Sequence, residues 1–170
     1  NDAVDEALRE HLELFDDGHP ARVARLRATA LRLMTDLADF QPLVTGAAWK
    51  GIAAEHAPVH LQLFHDNAKE VEFWLLNRRI GFDVGTLPHF GGRGEVEALS
   101  LEVDDVPVLL SLYGQDDLRG ALRGGADAAR GDRAAMAARA EAAGAGATGA
   151  TGAAGAAGTA EGAGTAGKIP

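Results

Sequence analysis

Residues 46–64 read GAAWKGIAAEHAPVHLQLF, and the second half of that stretch decides the fold. From Pro58 to Phe64 apolar and polar positions alternate. Val59, Leu61 and Leu63 point one way and His60, Gln62 and Phe64 the other, the two-residue period of a strand. Upstream, Gln41-Pro42 breaks the preceding segment, and Leu43-Val44-Thr45 starts a short strand that ends at Gly46. Residues 43–64 are therefore expected to run strand, glycine turn, strand, with His60 and Gln62 on one face.

Helical spacing governs the chain before this point. Residues 2–15 put Val4, Leu8, Leu12 and Phe15 on one face of a helix that Asp16-Asp17-Gly18 stops. A second helix is expected over 20–40, with Pro20 in its first turn and Val23, Leu26, Ala30, Leu33, Leu37 and Phe40 at helical spacing. Arg22, Arg25 and Arg32 take its other side and read as a solvated face, with phosphate binding as the alternative. After the central strand, Asp66 or Asn67 caps a helix over 68–79, and Glu70 stands where a capping box needs it. Val71, Trp74, Leu75 and Arg78 share one face of that helix. Gly81–Leu87 reads as a weak strand, and 95–103 and 106–113 as a hairpin around Asp104-Asp105. Two helices, two strands, a helix and three strands predict an α+β fold, a mixed β-sheet with helices packed on it.

The domain is expected to span 1–119. From Gly120 to Pro170 the chain becomes Ala, Gly and Thr with scattered charges, and it holds thirteen of the 22 glycines. Its only large apolar residues after Leu122 are Met136 and Ile169. Such a composition predicts a disordered low-complexity tail, because little apolar burial is available to offset ordering entropy. Residues 126–143 have the Ala and Arg content of a transient helix.

The net charge of −9 argues against non-specific binding to a nucleic-acid backbone. With no cysteine in the chain, disulfides and thiolate metal sites are excluded. No apolar run reaches bilayer-spanning length, and no signal-peptide pattern opens the sequence. The expectation is a cytoplasmic bacterial protein without a membrane segment. The chain has no Gly-x-x-x-x-Gly-Lys-Ser/Thr loop and no Gly-x-Ser-x-Gly elbow.

Gly46-Ala47-Ala48-Trp49-Lys50-Gly51 resembles the Gly-Ser-x-Ala-Arg-Gly signature of the minimal nucleotidyltransferases, members of the DNA-polymerase-beta-like superfamily. In that family the signature leads to Ser-Asp-Ile-Asp-Leu on the next strand, with which Ala57-Pro58-Val59-His60-Leu61 falls in register. The resemblance covers roughly residues 25–113 and implies a nucleotidyltransferase-like sheet. It places Gly46, Ala47, Lys50 and Gly51 beside nucleotide phosphates. The family's third carboxylate lies on a later strand, where Glu102 is the matching residue.

The departures bear on activity. The family's paired aspartates hold two magnesium ions, which demand oxygen ligands. Pro58 and His60 occupy those positions here, and a register shifted by two gives His60 and Gln62. Ala47 lacks the hydroxyl that would meet phosphate, whereas Lys50 keeps the positive charge. The resemblance thus implies a metal set of His60, Gln62 and Glu102, with His60 and Glu102 as the catalytic residues and magnesium as the cofactor of any surviving activity. Bland readings stand beside these: a solvated strand histidine, an exposed carboxylate, a loop lysine, and Trp49 and Trp74 as packing residues. His56, His60 and His65 could make a transition-metal site only if the loop at His56 swings toward His60. Gly91-Gly92-Arg93-Gly94 reads as a hairpin connection or an anion-cradling nest. Ser100 and Ser111 are the only serines, a thin basis for a Ser–His–Asp site. Three functions compete: a degenerate nucleotidyltransferase-like protein that binds a nucleotide or a protein partner, an active metal-dependent nucleotidyltransferase, and a small α+β protein unrelated to nucleotides.

Overall fold

The alternation of residues 58–64 becomes β2 (Val59–Phe64), which lies inside a six-stranded mixed sheet. The computed structural model describes residues 2–123 and 128–149. The other strands are β1 (Leu43–Thr45), β3 (Phe82–Pro88), β4 (Glu95–Val103), β5 (Val106–Tyr113) and β6 (Arg130–Gly131). Their order is β3-β4-β5-β2-β1-β6. β2 runs parallel to β5, with Val59 opposite Val108, and antiparallel to β1, with His60 opposite Thr45. The remaining pairs are antiparallel. The fold is α+β, as the order of elements predicts.

Val59, Leu61 and Leu63 are fully buried and join Val106, Val108, Leu110 and Leu99 in the main core. Burying each such side chain contributes about 1.5–3 kcal/mol relative to leaving it in water. Helix α2 (His19–Asp36) covers this face with Val23, Leu26, Ala30, Leu33 and Met34. It ends earlier than its apolar spacing suggests, and Ala38–Phe40 form a 3-10 turn instead. Gln41 takes φ +51° before Pro42, and a residue preceding proline resists the helical conformation.

Helix α4 (Ala68–Asn77) is capped by the Asn67 side chain, which accepts from the Lys69 amide at 3.2 Å. It stops at Asn77 rather than 79, because Arg79 turns left-handed at φ +57°. The amides of Arg79 and Ile80 then close onto the carbonyls of Leu76 and Leu75. Val71 and Leu75 enter the core, and the Arg78 guanidinium lies 3.7 Å over the Trp74 ring.

The turn expected after Gly46 is a short helix, α3 (Gly46–Lys50), closed by Gly51 at φ +72°. Gly51 is required there on two counts. Its φ is left-handed, and a Cβ would meet Arg27 Nη2 at 2.8 Å. Arg27 is itself buried and donates from Nε to the Ala48 carbonyl at 3.0 Å, tying α2 to α3.

The packed part of the chain reaches beyond residue 119. After the short α5 (Leu118–Ala121), β6 adds to the sheet against β1, and α6 (Arg133–Gly149) packs on α2. Asp132 caps α6 through the Ala135 amide at 2.9 Å. Met136 is fully buried. Trp49 donates from its indole to the Ala128 carbonyl at 2.7 Å, and Arg139 stacks 3.7 Å over its ring. Gly131 lies flat on the same ring, where a Cβ would sit 2.3 Å from the indole. Trp49 is thus a packing residue, and it anchors the segment that follows β5. The expected transient helix over 126–143 is realised from Arg133 onward; the rest of the expected tail, 124–127 and 150–170, lies outside the described residues.

Met136→Ala is expected to destabilise the protein by about 2–5 kcal/mol in urea unfolding. Truncation after Leu122 is expected to lower the melting temperature by several degrees or more, since it removes β6, Met136 and the cover of Trp49. A truncated chain that melts with the full-length protein would place 128–149 off the core.

Candidate functional site

The two faces of β2 have different fates. The face opposite α2 carries His60, Gln62 and Phe64, flanked by Thr45 and Leu43 on β1 and by Leu109, Ser111 and Tyr113 on β5. One end of this face is closed, because Phe90, Leu118 and Ala121 pack on Leu43, Phe64 and Tyr113. At the other end His60 and Leu109 are half-buried and Ser100 and Glu102 are exposed. The polar cluster lies where the covered and open ends meet.

His60 and Ser111 share a hydrogen bond of 2.9 Å between Nε2 and Oγ. Ser111 is fully buried and also faces the Leu61 carbonyl at 3.5 Å. Gln62 is buried, and its Oε1 has no partner among the described residues. Arg130, on β6, donates from Nη1 to the Ala121 carbonyl at 3.2 Å and covers the Phe90 ring at 4.6 Å. Its Nε is buried without a partner among the described residues. Burial holds the His60 imidazole below the ordinary histidine range, and the positive charge of Arg130 adds to that. Burial likewise lowers Arg130 from the usual guanidinium value, with Tyr113 opposing. Both effects favour the neutral imidazole, and Arg130 exerts its part from across β1.

This arrangement is not that of an activated serine. Ser111 is out of reach of a substrate, and no carboxylate hydrogen-bonds the other imidazole nitrogen among the described residues. His60 and Gln62 share one sheet face, and Arg130 lies in the same row as His60 across β1, its guanidinium against the Phe90 ring and the Ala121 carbonyl.

The other expected site residues are spread out. Gly46, at φ +68°, brings bare backbone against His60, where a Cβ would lie 3.6 Å from the His60 Cβ. Ala47 is half-buried, and its carbonyl accepts from Gly51 at 2.9 Å. Lys50 turns away to Asp5 on α1 (Asp2–Phe15), with Nζ 2.6 Å from the carboxylate. Glu102 shares the face of His60 but not its neighbourhood. β5 separates the two strands, and Glu102 pairs with Pro107 while His60 lies opposite Leu109. Two strand spacings put them about 10 Å apart laterally. Glu102 instead borders an open groove with Asp83 and Ser100.

His60, Gln62 and Glu102 do not fit a magnesium pair. They offer one carboxylate, set apart from the other two, where the ion needs several close oxygens. Among the described residues no three His, Asp or Glu side chains gather as metal ligands. His65 pairs with Glu70 at 3.2 Å and His56 stands exposed, so the three histidines stay dispersed. Elsewhere Glu97 meets Glu72; burial and the hydrogen bond to Glu72 push its carboxyl up, and Lys69 caps Glu72 at 3.0 Å.

The arginines of α2 are engaged. Arg22 pairs with Asp16, Arg25 donates to the Asp104 carbonyl at 2.8 Å, and Arg32 meets the Asp104 carboxylate at 2.5 Å. Gly91–Gly94 form the β3–β4 connection, which Arg93 and His89 fasten to Asp117. Sequence reasoning missed Ser111 and Arg130. Ser111 had a signal, as the one serine on the Leu109–Tyr113 face of a largely apolar strand. Arg130 had none, since its partners lie far along the chain.

No protein-family model, curated protein or solved structure matches the chain. No helix among the described residues is long and apolar enough to cross a membrane.

The lowered pKa of His60 fixes a sign. The folded state binds the proton less well than the unfolded chain does, so stability is full above pH 6.5 and falls as pH drops below that value. His60→Gln is expected to flatten the loss of melting temperature between about pH 7.5 and 5.5. Equal slopes in the two proteins would show that His60 titrates as it does in the unfolded chain.

Proposed function

We propose that this chain is a nucleotidyltransferase-like domain that binds a nucleotide without metal-dependent transfer. The ligand face is that of half-buried Gly46 and His60, at the open end of the sheet face, with Arg130 adding positive charge. One observation carries the reading: the face where the family resemblance expects paired carboxylates holds instead His60 and Gln62, with the positive charge of Arg130 acting on the imidazole. A cation at this place attracts phosphate directly, and a planar guanidinium bonds it in bidentate fashion. The separation of Glu102 from His60 supports the loss of transfer chemistry. Acidic net charge and the absence of a long apolar helix among the described residues support a cytoplasmic setting with small-molecule rather than nucleic-acid ligands.

The test combines thermal shift with product detection. ATP, GTP, CTP and UTP are each added with magnesium or with EDTA. One nucleotide at 100 times its dissociation constant is expected to stabilise the fold by about 2.7 kcal/mol. The shift should be the same with EDTA, vanish in Arg130→Gln, and occur without pyrophosphate release. Magnesium-dependent pyrophosphate release that disappears in Glu102→Ala would replace this reading with that of an active transferase. No shift with any nucleotide would leave a small α+β protein unrelated to nucleotides.

A further inference from the structure

Helix α1 is docked the wrong way round for an amphipathic helix. No residue of it is buried. Its charged edge faces the body: Asp5 binds Lys50, Arg9 donates to the Lys50 carbonyl at 2.8 Å, and Asp16, just past its end, pairs with Arg22. Its apolar stripe faces outward, with Val4 60%, Leu8 44%, Leu14 75% and Phe15 75% exposed. A continuous exposed stripe of this kind is the sort of apolar patch that is often functional.

We propose that this stripe is the self-association surface of the protein, and that its occupant is α1 of a second copy. Three features select that partner. Val4, Leu8, His11 and Phe15 follow one another at intervals of four, three and four, the seam spacing at which two helices interlock knob into hole. An identical stripe, turned antiparallel about a two-fold axis, is its natural complement. The charges give the second feature. Glu6, Glu10 and Glu13 lie on the far arc of the helix, and Asp5 is bound to Lys50. No unpaired charge stands in the seam to choose a basic partner, and two copies meet there without opposing their acids. The third is area. Four large apolar side chains per copy, at most three-quarters exposed, make a contact below the standard size of specific interfaces, so the dimer is reversible. The surface is separate from the His60 face, so the inference is independent of the ligand.

Sedimentation velocity on the full chain tests it over a concentration series. The weight-average mass is expected to rise from monomer to dimer with concentration and to do so equally in about 0.1 M and 1 M salt, because the contact is apolar. Leu8→Glu/Phe15→Glu, both at exposed positions, should stay monomeric at every concentration while keeping the wild-type melting temperature and circular dichroism. Phe73→Glu, on the exposed side of α4, should dimerise like wild type. A wild-type chain that remains monomeric to about 1 mM overturns the proposal. So does a dimer that survives in the double variant, one that is lost in Phe73→Glu alone, or one that high salt dissociates.

Discussion

The structure depends on one strand that must be covered on both faces. β2 has hydrogen-bonded neighbours on each side, and of its six residues only His60 is not fully withdrawn from water. Everything else is arranged to meet that demand. α2 and α4 cover Val59, Leu61 and Leu63. Phe90, Leu118 and Ala121 cover Phe64 and its neighbour Tyr113. A strand so placed has no unpaired backbone, so its polar side chains must find partners or remain orphaned. His60 finds Ser111; Gln62 Oε1 finds none among the described residues.

The candidate site is a by-product of that constraint. The sheet face away from the helices is only half covered, and the boundary falls across His60, Gln62 and Ser111. Arg130 lies in the same row as His60 because β6 extends the sheet beyond β1. The Arg130 guanidinium adds positive charge to the surroundings of a half-buried imidazole, whereas metal chemistry would require the opposite. Glu102, the one carboxylate expected at the site, is kept away by the width of β5.

Trp49 links the site to the stability of the whole. It lies in α3, between β1 and β2, and it receives Gly131 and Arg139 on its ring and Ala128 on its indole nitrogen. The segment that carries Arg130 is thus fastened by a residue one turn of chain from Gly46. Arg27 fastens the same corner from below, through carbonyls of Ala48 and Arg139 at 3.0 and 3.4 Å. Apart from Arg139 on the Trp49 ring, these are contacts of single side chains with backbone, and they need no large apolar surface.

The sequence by itself determined α1, α2, α4, the strands β1 to β5 and the two faces of β2, because those follow from the spacing of apolar residues along a short stretch. The Asn67 cap and the hairpin at Asp104-Asp105 were legible for the same local reason. What the tertiary structure alone decided is where the faces point and what distant residues bring. The stripe of α1 looked like any core-facing helix, yet Lys50 and Arg22 turn it outward. The segment 128–149 has almost no large apolar residues, yet one methionine, small alanines and arginine stems suffice when a tryptophan ring is waiting. Glu102 and His60 share a face by alternation, but their separation depends on strand order, which periodicity does not encode. Local pattern fixes the direction of a side chain relative to its own backbone; only the packed fold fixes what stands opposite it.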